Sequence, residues 1–209
     1  MKKNSYLYII IGILLVCNII SIASIINIKK SATASISVLY PYAKKYEILK
    51  SNLKNNFEFG GYKINPIQIC TKDNLQVGLD RLVSDTMGFG IVLRTSERNC
   101  HTCVDYAVKL ISSPRVRKDV SISYLFGYKR NNYFASKAEE YGLLDSMVYN
   151  YPDLEIPIDY EGFPYLMVLN KDLMIEYCYF PSKGSDDIDI ENINMIIDCY
   201  AKKYNVHNQ

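Results

Sequence analysis

The most apolar stretch of the chain comes first. Tyr6 to Ile28 reads YLYIIIGILLVCNIISIASIINI, 23 residues without a charged side chain. A helix rises about 1.5 Å per residue, so this stretch can cross a hydrocarbon layer of roughly 30 Å. The pattern predicts a transmembrane anchor within residues 1–30. A cleaved signal peptide is the rival reading. Its apolar part would run about 7–15 residues and end at small residues. Here Ile25, Ile26 and Ile28 continue past Ser21, Ala23 and Ser24. Lipidation at Cys17 would want a small residue before it, and Val16 stands there.

Residues 31–72 read as a juxtamembrane segment. Leu39, Tyr42, Tyr46, Leu49 and Leu53 recur at helical spacing, which predicts a helix. Gly60-Gly61 marks a break. Asp73 predicts the cap of a helix over 74–85, with Leu75, Leu79, Leu82 and Val83 on one face. From Gly88 onward strand and helix patterns alternate. GFGIVLRTS predicts a buried strand, and 103–112 a helix with Val104, Ala107, Val108 and Ile111 inward, ended by Pro114. A strand over 120–126 and a helix over 131–141 follow, the latter stopped by Gly142. A loop-like stretch reaches Gly162, with a short strand at Leu154–Ile158. FPYLMVLN and LMIEYCYF are strands joined by a turn at Asn170-Lys171-Asp172. The last element is a helix from Asp189 to Lys203, with Ile193, Ile196, Ile197 and Tyr200 inward. The order β-α-β-α-β-β-α predicts an α/β domain over 73–209: a central mixed sheet, parallel at its core with an antiparallel hairpin at its end, and helices on both faces.

Charge changes this picture little. There are 24 basic and 22 acidic residues, for a net charge of +2, so no strong field points to nucleic acid. Lys2 and Lys3 precede the apolar stretch and Lys29 and Lys30 follow it. The positive-inside rule therefore casts no vote on orientation.

The cysteines carry the candidate chemistry. Cys100-His101-Thr102-Cys103 falls where a predicted strand passes into a predicted helix. The unpaired N–H groups and positive dipole at a helix start stabilise a thiolate at the first cysteine. The second lies on the first turn, within reach of a mixed disulfide formed by the first. Cys100 and Cys103 are thus the candidate catalytic pair. The same spacing serves zinc, but a structural site needs two further ligands, and Cys70, Cys178 and Cys199 are scattered singly. A purely structural bridge is the other alternative, although so short a loop confers little stability. No metal or cofactor is expected. Cys178 and Cys199 read as small core residues. A redox pair behind an anchor fits an extracytoplasmic, periplasmic domain, where disulfide chemistry operates.

Three features in order, the strand–CHTC–helix unit, EGFPYLMVLNKDLMIEYCYF and the closing helix, resemble the thioredoxin-like superfamily over roughly Asn74 to Tyr204. The similarity is greatest to membrane-tethered thiol–disulfide oxidoreductases of the bacterial cell envelope. The resemblance implies that Pro164 is the family's cis proline, packed beside the cysteine pair. It implies that Phe163, Pro164 and His101 contact the substrate, that protein thiols and disulfides are the partners, and that 127–162 is a partner-facing insertion.

The chain departs from the family in three ways. Arg98-Asn99 replaces the Trp-containing approach to the pair. The strand before it has no carboxylate, which leaves Glu97 or Asp105 as proton acceptor for Cys103. His101 directly follows the first cysteine, and with Arg94 or Arg98 it is a candidate for keeping Cys100 ionised. Two functions follow. One is an enzyme exchanging disulfides on envelope proteins. The other is a non-catalytic thioredoxin-like module that binds a partner, with a structural or vestigial CxxC.

Overall fold

A computed structural model describes residues 2–143 and 147–205. The chain divides into two compact units, Met1–Ile48 and Leu49–Gln209. Helix α1, Lys2–Phe59, supplies the first unit and enters the second with its last turns. Its described span from Leu15 has a mean hydropathy of 1.3 in its most apolar window, and none of that window is buried. By length and composition α1 can cross a membrane. The predicted juxtamembrane helix is present as part of α1. Leu39, Tyr42, Tyr46, Leu49 and Leu53 are exposed, while Asn52 and Phe59 are buried.

The second unit is built on one seven-stranded sheet. Its strands are β1 (Gln68–Thr71), β2 (Gln76–Gly78), β3 (Phe89–Ser96), β4 (Ile122–Gly127), β5 (Val148–Asn150), β6 (Tyr165–Asn170) and β7 (Ile175–Tyr179). They lie in the order β2-β1-β5-β4-β3-β6-β7. The pairs β3–β4 and β4–β5 are parallel and the other pairs are antiparallel. β3 is buried along its whole length, as expected of a central strand covered on both faces. Helices α2 (His101–Ser112), α3 (Asn131–Glu140) and α4 (Asp186–Asn205) complete the unit. β1 and the end of α1 thus belong to the globular unit although they lie upstream of residue 73.

All three of these helices pack on one face of the sheet. Ile91 and Leu93 of β3, Phe126 of β4 and Val168 of β6 meet Val108 of α2, Phe134 of α3 and Ile193 of α4 there. Helices flank both faces as expected but unevenly, since only the end of α1 and two 3-10 turns cover the other face, and handedness places α2 and α3 together. β3, β4 and β5 are laid side by side in one direction. Right-handed crossovers between them must then fall on the same side. The alternate residues Val92, Leu125, Met167 and Leu169 form the second face. They are covered by Phe59 of α1, by Leu79 and Leu82, and by Leu154, Ile156 and Ile158.

Two expectations are corrected. Residues 74–85 are not an α-helix. Asn74 takes φ 62° in the turn between β1 and β2, a conformation Asn tolerates. Only Leu79–Leu82 coils, as a 3-10 turn. Its three-residue repeat brings Leu79 and Leu82 to one side just as an α-helix would. This turn lies so close to β3 that a Cβ on Gly90 would sit 1.9 Å from the Leu82 carbonyl oxygen. Residues 154–158 are not a strand either. The segment is irregular up to a 3-10 turn at Pro157–Tyr160, and the strand of this region is the three-residue β5, too short to show a period.

The outer edge of β7 is occupied. The Asn56 side chain donates to the Cys178 carbonyl at 2.9 Å and accepts from the Cys178 N–H at 2.7 Å. Asn52 Oδ1 accepts from the Phe180 N–H at 3.2 Å. Farther along, the Gly61 N–H donates to the Ile175 carbonyl and the Ile175 N–H to the Tyr62 carbonyl, each at 2.8 Å. The end of α1 and the segment after it therefore satisfy a row of backbone groups that an edge strand would otherwise leave open.

Candidate functional site

β3 delivers the chain to a tight loop at its C-terminal end. Asn99 Oδ1 accepts from the Ser96 N–H at 2.7 Å, and the Asn99 N–H donates back to the Ser96 carbonyl at 3.0 Å. The Glu97 N–H donates to the Gly127 carbonyl at 3.2 Å, and its carboxylate accepts from the Lys129 N–H at 2.8 Å. The loop is thereby tied to the end of β4. Cys100 is the N-cap residue of α2, and its carbonyl accepts from the Cys103 and Val104 N–H groups at 2.9 and 3.0 Å. The helix starts two residues earlier than the apolar spacing implied.

Cys100 is exposed and Cys103 half-buried, and neither is in a disulfide. Cys100 Sγ lies 3.3 Å from Thr102 Oγ1. The Cys100 thiol is lowered to about 7, chiefly by a hydrogen bond from the Cys103 side chain, then by the Thr102 hydroxyl and the Cys103 backbone N–H. Cys103 is shifted upward, first by burial and then by its bond and proximity to Cys100, with the charge of Lys183 opposing. The two shifts describe one arrangement: an ionisable outer sulfur, and an inner thiol that holds its proton and donates it. Among the described residues no group of three or more His, Cys, Asp or Glu side chains could hold a metal ion.

The three cations proposed to hold Cys100 ionised are each turned to a carboxylate instead. Arg94 is buried and grips Asp159 twice, through Nε at 3.0 Å and Nη2 at 2.7 Å. Its Nη1 and Nη2 also donate to the Tyr151 and Pro152 carbonyls. Arg98 reaches Asp153 at 3.0 Å and lies over the Tyr160 ring, 4.7 Å from its centroid. His101 Nδ1 is 3.1 Å from Asp105 Oδ2. The proton acceptors proposed for Cys103 are also engaged elsewhere, Glu97 by Lys129 and Asp105 by His101 and the Tyr141 hydroxyl at 2.6 Å.

Asp159 is the residue the sequence reading missed. Beyond Arg94 it accepts from the Tyr165 hydroxyl at 2.7 Å and the Leu154 N–H at 3.0 Å. Burial works to raise its carboxyl, but the bonds and charge of Arg94 prevail and hold it below the usual range. A signal for it existed. An arginine inside an otherwise apolar strand needs a buried anion. The fit is close, since a Cβ on Gly127 would stand 2.8 Å from Arg94 Nη2.

Pro164 is buried immediately before Tyr165, which pairs with Arg94 across β6 and β3. A Cβ on Gly162 would lie 4.0 Å from the Arg98 carbonyl oxygen. Phe163 and Pro164 thus stand at the end of the sheet from which Cys100 emerges, and Phe163 is exposed. The expected cis bond is absent: no peptide among the described residues is cis. Trans is the lower-energy X–Pro isomer by about 0.5–1 kcal/mol, and Gly162 at φ 78° already supplies a reversal before β6. Cys178 is buried as expected, whereas Cys199 is exposed on α4.

No protein-family model matches the chain, and no curated protein matches it in sequence. Solved structures do. One is a candidate protein disulfide isomerase from Bacteroides thetaiotaomicron, with 12% identity over 71% of this chain and 94% of that one, at a TM-score of 0.52. A candidate thiol-disulfide oxidoreductase from Bacteroides vulgatus aligns at 14% identity over 67% of this chain and 91% of that one, at a TM-score of 0.47. The first likeness, with the mixed sheet and its flanking helices, shows that the fold is thioredoxin-like.

Proposed function

We propose that this chain is a membrane-anchored thiol–disulfide oxidoreductase that acts on cell-envelope proteins through Cys100 and Cys103. One observation carries the reading: the exposed Cys100 caps α2 with its thiol lowered to about 7, while Cys103, one turn inward, is shifted the other way. That is the asymmetry a two-step exchange requires. The Cys100 thiolate attacks one sulfur of a substrate disulfide. A Cys100–substrate bond forms and the other substrate sulfur leaves as a thiolate. Cys103 then loses its proton and attacks Cys100 Sγ. The Cys100–Cys103 bond forms and the second substrate thiolate departs, so the pair is oxidised by two electrons and the substrate reduced by two. The reverse sequence oxidises a substrate dithiol. Phe163, Pro164 and His101 line the approach to Cys100. α1 serves as the anchor, and the thiol chemistry favours an extracytoplasmic position for the second unit.

The test is a trap. The full chain carrying Cys103→Ala, expressed in a bacterial envelope, should accumulate mixed disulfides that vanish on reduction and are missing when Cys100→Ser is added. No such adducts would leave the partner-binding module without redox activity as the reading that stands.

A further inference from the structure

Beside Cys100 the structure holds a recess that the exchange chemistry does not use. Its volume is about 180 Å³, smaller than the roughly 300–1,000 Å³ of clefts that take a whole small molecule. The buried Val104 and Tyr128 and the nearly buried Lys137 form its base, and the exposed Tyr133, Glu97 and His101 its rim. Asn99 and His101 both line it and flank Cys100 in the chain. The opening is thus one residue away from Cys100 on either side, within reach of the neighbours of a cysteine joined to it.

The walls are held in place before any ligand arrives. The Asn150 side chain accepts from the Tyr128 N–H and donates to the Tyr128 carbonyl, both at 2.9 Å. Tyr133 stands edge-on to the Tyr128 ring, with centroids 5.0 Å apart. Tyr141 donates to Asp105, which also engages His101, so the end of α3 is joined to the first turn of α2. Lys137 is neutralised by Glu140 at 2.7 Å and lies 6.0 Å from the Tyr141 ring centroid. Much of the recess is thus ring and aliphatic surface from Val104, Tyr128, Tyr133 and Tyr141, with Lys137 and His101 each engaged by a carboxylate, while Ser96, Asn99 and Glu97 add polar groups along one side. Such a lining favours an apolar or aromatic guest.

We infer that this recess is a specificity pocket for one side chain of the substrate polypeptide, an aromatic or large aliphatic residue next to the cysteine that Cys100 attacks. The inference rests on the exchange reading and names the substrate class for it.

The test uses the full chain in detergent with Cys103→Ser, so that the reaction stops at the first bond. The probes are short peptides Gly-Cys-X and X-Cys-Gly whose cysteine carries a thionitrobenzoate disulfide, with X as Phe, Leu, Gly or Asp. Cys100 attacks the peptide sulfur, and the better leaving group departs as a yellow thiolate. In one of the two registers Phe and Leu peptides should react roughly 10-fold faster than Gly, the scale on which an apolar pocket discriminates. Tyr133→Ala, at an exposed position, should erase the preference and Tyr133→Phe should keep it. Equal rates for Phe and Gly in both registers, or a preference that survives Tyr133→Ala, would overturn the pocket and leave the exchange reading intact. No reaction with any peptide would sink the exchange reading, and the pocket with it.

Discussion

Arg94 and Asp159, 65 residues apart in the chain, face each other inside the domain through two hydrogen bonds of 3.0 and 2.7 Å. Arg94 is on the strand that leads to Cys100. Asp159 is on the segment that leads to Phe163 and Pro164. The pair therefore fixes the two sides of the candidate site to each other, and beyond their mutual bonds Arg94 donates to two backbone carbonyls while Asp159 accepts from the Leu154 N–H and the Tyr165 hydroxyl.

Removing one member strands a buried charge. Asp159→Ala should lower stability by about 3–5 kcal/mol, read as a shift of the urea midpoint of the second unit's unfolding. Arg94→Met with Asp159→Leu replaces both charges by apolar volume, and should recover most of that loss. A double variant no better than the single would show that shape, not charge, is the issue at this position.

Acid should expose the same pair. The Asp159 carboxyl is held below its unfolded value of about 3.9. A group lowered on folding contributes stability that is complete above the unfolded pKa and is lost as the pH falls through the folded one. Unfolding free energy should thus decline below about pH 4, and the part owed to this residue should be missing from the slope of Asp159→Asn. Superimposable pH profiles for the two proteins would contradict the assignment.

Alkylation of Cys100 should report what ionises it. In the reduced protein the iodoacetamide rate should rise with a midpoint of about 7. Cys103→Ala removes the first cause of the lowering and Thr102→Val the second, so both should move the midpoint upward. Arg98→Ala should leave it unchanged, because Arg98 is engaged by Asp153 and Tyr160. A midpoint that climbs in Arg98→Ala alone would return the role to the arginine.

Asn56→Ala leaves the Cys178 N–H and carbonyl without the partner they have on the outer side of β7. An unsatisfied buried backbone group costs about 1–3 kcal/mol, and a loss in that range is expected in thermal or urea unfolding. Amide exchange at Cys178 should accelerate with it. Protection at Cys178 equal to that of the parent would show that the side-chain bond is dispensable.

The sequence made the central elements legible for a physical reason. β3, β4 and β6 are buried runs of apolar residues, and α2 and α4 bury the residues that helical spacing selects, Val104, Ala107 and Val108 in one and Ile193, Ile196 and Ile197 in the other. These signals are local. What stayed hidden depends on contacts far apart in the chain. The Arg94–Asp159 pair needs the fold to bring residues together, and so do the bonds from Asn52 and Asn56 to β7, which the spacing of Leu49 and Leu53 along α1 does not announce. Leu79 and Leu82 fit two helix types equally well, and only the turn at Asn74 decides between them. Pro164 directly precedes β6, and the isomer expected by resemblance is not the one adopted.

The asparagines at the end of α1 have a practical corollary for anyone preparing this protein without its apolar leader. A recombinant fragment trimmed to begin at residue 73, where the α/β pattern of the sequence starts, would discard Asn52, Asn56 and Phe59 together with β1. The strand they shield would then be free to recruit a neighbouring molecule in solution. Ending the deletion ahead of Leu49, at the border between the two compact units, keeps that shield in place.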